Sequence, residues 1–216
     1  MWPKHEIVTP QAANHPTFVS PPPLTGMTYP EALDHNYDHN GAHPHYVYAD
    51  TQTHSPVYVS WRDSVRAAWR VSHTVQKAAQ TLPAGAPAGS KPKFALVAAA
   101  DNISYLTVAD GVLRGGYECF LVSFRMSAPT VAQMLQAQGT THVITSRDPA
   151  MQSLMEGVKE ILGADKLEVL QMPLFEEIYT NEDVERPAKF VPDLDDTGIV
   201  LHSSGKLSQP TSVHLA

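Results

Sequence analysis

A single cysteine, Cys119, among 216 residues has no partner for an internal disulfide. Basic clusters are missing too. Lysine and arginine number 15 against 22 aspartates and glutamates, for a formal net charge of −7 and a pI near 5.8. That excludes the concentrated positive surface needed to track a nucleic-acid backbone. No apolar run approaches the roughly 18–20 residues that span a bilayer. The start, Met1-Trp2-Pro3-Lys4-His5-Glu6, lacks the apolar stretch of a signal peptide. These absences predict a soluble, cytoplasmic protein that binds neither nucleic acid nor membrane. What is present fits a globular chain: 43% hydrophobic and 17% charged residues, enough for one domain with a buried core.

Residues 1–28, rich in Pro, Thr and Asn and containing Pro21-Pro22-Pro23, read as an extended, weakly ordered leader. A short helix is predicted from Pro30 to about His39, capped by Thr28. Two strand-like runs, 45–49 and 56–60, form a predicted hairpin. Ser60-Trp61-Arg62-Asp63 resembles a capping box in which Asp63 takes the place of the usual Glu. Behind it Val65, Ala68, Ser72, Val75, Ala79 and Leu82 recur at spacings of three and four, the stripe of an amphipathic helix. Pro83 to Ser90 breaks that helix as a surface loop.

A repeating rhythm follows. Apolar β-runs begin near Phe94, Cys119, His142 and Leu167, and each interval holds a helical pattern. Asn102 is the expected cap of the first, which ends at Gly115-Gly116. Ser127 is the expected cap of the second, stopped by Gly139, and Gly163 stops the third. Apolar strands alternating with helices predict an α/β fold: a mostly parallel sheet of βαβ units flanked by helices. Residues from about Phe175 to Asp196 read as an acidic, irregular surface excursion before a last strand at Ile199.

Several motifs fail as sites. The run Gly111-Val112-Leu113-Arg114-Gly115-Gly116 closes a helix, whereas a dinucleotide fingerprint follows a strand and opens one. His35 and His39 share a helix face, but no third ligand at suitable spacing completes a metal site, so no metal residue is assigned. A Ser-His-Asp hydrolase needs Gly-x-Ser-x-Gly, and Leu201-His202-Ser203-Ser204-Gly205 lacks the first glycine. Cys119 lies within an apolar strand, where a thiol is normally buried and inert.

One segment does suggest chemistry. Gly198-Ile199-Val200-Leu201 leads into His202-Ser203-Ser204-Gly205-Lys206-Leu207-Ser208-Gln209-Pro210-Thr211. A strand entering a Ser/Gly-rich loop can offer backbone N–H groups and hydroxyls to a phosphate. The segment resembles the phosphate-binding loop of adenylate-forming enzymes, roughly Ser/Thr-Ser-Gly-Ser/Thr-Thr-Gly-x-Pro-Lys. From about Pro30 the wording is also similar to the N-terminal part of adenylation domains in fungal aminoadipate-reductase-like proteins. The similarity runs through 32–37, 59–66, 101–105, 111–117, 124–128 and 142–144, in the family's order.

The resemblance implies an ATP- and Mg²⁺-dependent enzyme that converts a carboxylic acid into an acyl-adenylate and releases pyrophosphate. It implies that the acyl group then passes to the thiol of a carrier domain ahead of a reductase, both absent from these 216 residues. Ser203, Ser204 and Gly205 are the implied nucleotide-phosphate-binding residues; no catalytic residue is assigned. Lys206, Leu207, Ser208 and Thr211 replace a Ser/Thr, a Thr, a Gly and a Lys. The expectation is therefore a partial adenylation domain over 29–216, a fragment inactive alone, with doubtful ATP binding. Two alternatives stay open: a non-catalytic binding module, or a small nucleotide-binding α/β protein.

Overall fold

The structure is a computed structural model that describes residues 15–21, 27–84, 86, 90–188, 198–202 and the strand 212–215. The chain divides into two compact units, Met1–Ala67 and Ala68–Ala216, with the boundary inside a helix.

In the first unit, helix α1 (Tyr29–Asn40) opens on the predicted cap. Thr28 N–H donates to Glu31 Oε2 at 2.8 Å while Glu31 N–H reaches Thr28 Oγ1 at 3.4 Å, a reciprocal capping box. Part of the stretch expected as a leader is tied to this helix. Buried Asn40 accepts from Val19 N–H and donates to the Val19 carbonyl, both at 2.8 Å, mimicking a strand's paired bonds with one side chain. Strands β1 (Pro44–Ala49) and β2 (Pro56–Ser60) form the predicted antiparallel hairpin, with Val47 opposite Tyr58. Its turn is held by Asp50, whose Oδ1 accepts from the amides of Gln52 and Thr53. His45 stacks on Trp61 with ring centroids 3.6 Å apart and bonds Ser64 at 2.7 Å. Burial there lowers the His45 pKa to about 4.

Helix α2 (Trp61–Ala78) starts in the first unit and continues into the second. Its expected capping box is half realised. Asp63 N–H donates to Ser60 Oγ at 3.1 Å, but the Asp63 carboxylate accepts from the Ser60 hydroxyl at 2.6 Å. A side chain one methylene shorter than Glu settles on the hydroxyl instead of the backbone amide.

The second unit is built on a sheet in the order β6-β5-β3-β4-β7-β8. Strands β3 (Phe94–Val97), β4 (Cys119–Leu121), β5 (His142–Thr145), β6 (Glu168–Gln171) and β7 (Ile199–His202) run parallel, and β8 (Ser212–Leu215) pairs antiparallel with β7. Every side chain of β3 and β5 is buried, as a sheet covered on both faces demands. The connecting helices are α3 (Asn102–Arg114), α4 (Ala128–Gln138) and α5 (Pro149–Leu162), with a short α6 (Phe175–Ile178) after β6.

Chain direction decides which face each helix covers. The step from β3 to β4 runs one way along the sheet, and those from β4 to β5 and β5 to β6 run the other. Right-handed crossovers then place α3 on one face and α4 with α5 on the opposite one. On the α4–α5 side, Ala95, Val97, Phe120, Val122, Val143 and Val200 pack with Val131, Leu135, Met155 and Val158 in one core. On the other face His142 stacks on Phe94 at 4.7 Å. Its Nε2 lies 3.3 and 3.2 Å from the carbonyls of Ala78 and Thr81, so it carries the proton and donates to both.

Two caps differ from expectation. Asp101, not Asn102, caps α3, accepting from Ser104 N–H at 2.9 Å. Either residue type can cap, and the chain turns out of β3 one residue earlier than the pattern suggests. Ser127 holds the N-cap position of α4, yet its hydroxyl pairs with Thr130 Oγ1 at 2.9 Å and makes no bond to the helix backbone. Gly139 ends α4 in the left-handed conformation (φ 65°) that favours glycine.

Residues 178–188, read from sequence as an irregular surface excursion, are held through their carbonyls by two arginines, Arg70 and Arg114. Arg70 donates to the carbonyls of Ile178, Thr180 and Glu182. Arg114, only 2% exposed, donates to those of Pro187 and Ala188 at 2.8 and 3.0 Å. Residues 189–197, the rest of that stretch, lie outside the described residues.

Candidate phosphate-binding site

In an open parallel sheet, loops that leave the carboxyl ends of the strands form the natural ligand-binding edge. Their residues project beyond the paired backbone, and each following helix begins with unpaired N–H groups. Strand β7 delivers the Ser/Gly-rich segment to this edge. It lies beside β4, with Cys119 opposite Ile199 and Phe120 opposite Val200. Ser203, Ser204 and Gly205 follow directly, and they lie outside the described residues. What the structure supplies is the frame on either side of them.

That frame is well defined. His202, the last residue of β7, is half-buried beside Phe120. The backbone N–H of Ser123, just past β4, donates to His202 Nε2 at 3.1 Å. An imidazole nitrogen accepts only when it carries no proton, so in this bond Nε2 is the acceptor and the ring proton lies on Nδ1. On the far side, β8 returns with Ser212 as the register partner of His202. Residues 203–211 therefore connect two paired strand ends. Sequence reasoning missed β8; the alternation Val213/Leu215 was its only signal.

Beyond Ser123 the chain turns tightly. Arg125 N–H donates to Ser123 Oγ at 3.3 Å, and Met126 N–H to the Ser123 carbonyl at 3.4 Å. Phe124 and Arg125 are exposed on this turn, with the Arg125 guanidinium 5.6 Å from the Phe124 ring centroid.

A second part of the same edge lies between β3 and β5, whose following helices go to opposite faces, the usual crevice position. Here the polar groups satisfy one another. Ala99 N–H donates to Ser146 Oγ at 3.0 Å, and that hydroxyl donates to Asp148 Oδ2 at 2.7 Å. Asp148 also caps α5 through Met151 N–H at 3.1 Å. The Ser146 hydroxyl first, and the Met151 amide second, hold its carboxyl below the usual carboxylate range. Nearby, Arg147 makes a bidentate pair with Glu177 at 2.9 and 2.6 Å, fixing α6 to the end of β5.

The motifs set aside from sequence find structural roles. Gly111 and Gly115 face α2 at its closest approach to α3. A Cβ on Gly111 would lie 2.4 Å from Val71 Cβ, and one on Gly115 would lie 2.9 Å from Val75 Cγ2. His35 and His39 lie ring to ring at 4.5 Å, with His35 Nε2 3.3 Å from the Val19 carbonyl. No cluster of three metal-ligating side chains occurs among the described residues. Cys119 is fully buried, and burial pushes its thiol well above the usual range. No described helix is long and apolar enough to cross a membrane.

Known proteins agree with this architecture. No protein-family model matches the chain. Adenylate-forming reductase Nps10 of Heterobasidion annosum is 27% identical over 212 residues, which is 94% of this chain and 19% of the relative. Adenylate-forming reductase Nps11 of Serpula lacrymans var. lacrymans is 28% identical over 203 residues, 89% of this chain and 18% of the relative. The chain is homologous to the adenylate-forming reductases. It spans about a fifth of the length of these curated relatives.

The adenylation-domain likeness extends to solved structures. McyG A-PCP complexed with phenylalanyl-adenylate superposes with a TM-score of 0.63 at 14% identity, over 88% of this chain and 28% of that one. ATP-bound MatB from Rhodopseudomonas palustris gives 0.58 at 15%, over 80% of this chain and 32% of that one. At such identity the likeness establishes the fold: an α/β parallel sheet flanked by helices, as in the N-terminal portions of adenylation domains.

Proposed function

We propose that Ser203, Ser204 and Gly205 hold the β- and γ-phosphates of ATP, and that this chain is the nucleotide-phosphate-holding part of an acyl-adenylate-forming enzyme. The observation that carries this reading is the position of β7. It ends at the ligand-binding edge beside β4, anchored through His202, immediately before the Ser/Ser/Gly segment. Homology to adenylate-forming reductases supports the same chemistry.

In the proposed reaction a carboxylate oxygen attacks the α-phosphorus, the bond to the β-phosphate oxygen breaks, and pyrophosphate leaves. The Ser hydroxyls and the backbone amides of 203–205 would hold the departing charge in a preorganised polar site. Mg²⁺ would arrive on the nucleotide phosphates with much of its own water, as this ion usually does, so it needs no all-protein cage. A carrier thiol and a reductase would act from other parts of a longer protein or from partners.

We further propose that the 216-residue chain alone completes adenylation poorly or not at all. Leu207 cannot donate a hydroxyl bond, and Ser208 restricts a backbone position that glycine would leave open. Each oriented donor lost from a developing charge costs about 10²–10³ in rate. Carboxylate-dependent ATP–pyrophosphate exchange by the purified chain is the test. No exchange above background is expected, whereas robust exchange would overturn the second proposal. Failure of ATP or pyrophosphate to bind at all would overturn the first.

A further inference from the structure

We propose that residues 178–188 form a strap that clasps β7 into the sheet, so that strap and β7 open together while β3 to β6 stay folded.

The connection from β6 to β7 is unlike the others. Strands β3 to β6 are joined in turn through α3, α4 and α5. From β6, at one end of the sheet order, the chain must pass β5, β3 and β4 before β7 takes its place. Of the described residues in this connection only Phe175–Ile178 form an α-helix, and 180–188 form neither helix nor strand. A parallel crossover usually packs a helix against the sheet, and without one it needs other anchors. Helices α2 and α3 supply them. Along α2, Arg70 donates to the carbonyls of Ile178, Thr180 and Glu182, and His73 Nε2 donates to that of Glu185 at 2.8 Å. The acceptors follow the order of the donors, so the strap runs alongside α2. The Tyr179 hydroxyl meets Thr107 Oγ1 of α3 at 2.7 Å, and the Arg186 guanidinium lies 5.0 Å from the Trp69 ring centroid.

The strap ends where the anchorage of β7 begins. Arg114, which holds Pro187 and Ala188, is the last residue of α3, and β4 starts shortly after it at Cys119. Strand β4 then grips both ends of β7. Cys119 N–H donates to the Gly198 carbonyl at 2.9 Å, and Ser123 N–H donates to His202 Nε2 at 3.1 Å. Between them the register pairs Cys119 with Ile199 and Phe120 with Val200. So short an attachment belongs to the low end of local stability. Ala188 lies ten residues before Gly198 and Ile178 lies twenty before it. Releasing the strap therefore doubles the chain between β7 and its nearest anchor, and loop-closure entropy alone then disfavours β7 by about threefold.

Amide hydrogen exchange of the full chain, resolved by NMR, tests the clasp. Three amides at β4 have different partners: those of Cys119 and Ser123 bond to β7, whereas Val122 N–H donates to the Leu96 carbonyl of β3 at 3.0 Å. In the wild type, Cys119 and Ser123 should exchange faster than Val122. H73A removes one bond from an exposed side chain and should speed both by about twofold to tenfold. R114Q removes charged donors and should speed them by about tenfold to a hundredfold. H73A carries the test should R114Q fail to fold. Rates at Cys119 and Ser123 that neither variant moves would overturn the clasp, because β7 then opens with the strap in place. Wild-type rates at both equal to that of Val122 would overturn the separate opening, because β7 then leaves only with the whole sheet.

Discussion

Replacing Gly111 with alanine sets helix propensity against steric volume. On propensity alone the change should stabilise α3 by about 1 kcal/mol, because glycine is the poorer helix former. Packing opposes it. The added methyl would sit 2.4 Å from Val71 Cβ, 2.5 Å from Val71 Cγ1 and 2.9 Å from the Ala68 carbonyl oxygen. Carbon atoms rest comfortably at roughly 3.5–4.0 Å, so α2 and α3 must separate by about 1 Å. Of these, the Val71 Cβ and the Ala68 oxygen cannot swing away as the end of a flexible side chain could. Overpacking of this kind costs about 1–3 kcal/mol, occasionally more, and spoils the contact of Gly115 with Val75 one turn on. A net loss of about 1–2 kcal/mol is expected, a fall in Tm of roughly 2–8 °C for a chain of this size. Urea and thermal unfolding followed by circular dichroism would measure it. A double-mutant cycle sharpens the assignment: V71A keeps the Cβ that clashes, so its coupling to G111A should be weaker than that of V71G. A G111A protein as stable as wild type, or more so, would refute the close approach of these helices.

Other predictions concern the strap, the histidines and the site. R114L leaves the Pro187 and Ala188 carbonyls without their charged donor, and should cost about 2–4 kcal/mol. Limited proteolysis should then cut within 180–188, and an unchanged cleavage pattern would count against the strap. Stability should also fall with acid. His45, held neutral with its pKa at about 4, takes up a proton on unfolding at any pH between that value and about 6.5. The unfolded state therefore binds more protons, and stability falls as pH drops from about 6.5 toward 4, by an order of 1–3 kcal/mol. His142, also lowered by burial, acts in the same direction. Urea titrations at several pH values should show the slope, and H45F should flatten it; an identical slope in H45F would rule out His45 as its source. The exchange assay completes the set.

Local rules made much of this architecture readable before any coordinates. The 3.6-residue stripe of α2, the Gly139 and Gly163 stops and the apolar runs at Phe94, Cys119 and His142 each depend on neighbours a few residues away. Capping was readable to within a residue, as the exchange of Asn102 for Asp101 illustrates. The proposed site was legible as a segment, Ser203-Ser204-Gly205, because Ser/Gly-rich residues after a strand can offer hydroxyls and N–H groups to a phosphate.

Other features left no local trace. The strap at 178–188 is held through its carbonyls, which every residue carries, so nothing in its side chains announces Arg70 and Arg114 as partners more than 70 positions away. His202 looked like one more polar residue until strand pairing brought Ser123 N–H to its Nε2. Gly111 and Gly115 looked like a helix stop, and only the packing of α2 against α3 showed that their missing side chains make room for Val71 and Val75. Periodicity, capping and apolar content, all short-range, were enough to determine the α/β succession and the phosphate-like segment. Tertiary structure decided which strands lie side by side, and therefore that β7 ends next to β4 with Ser123 bonded to His202, because such pairings join residues that are distant in the chain.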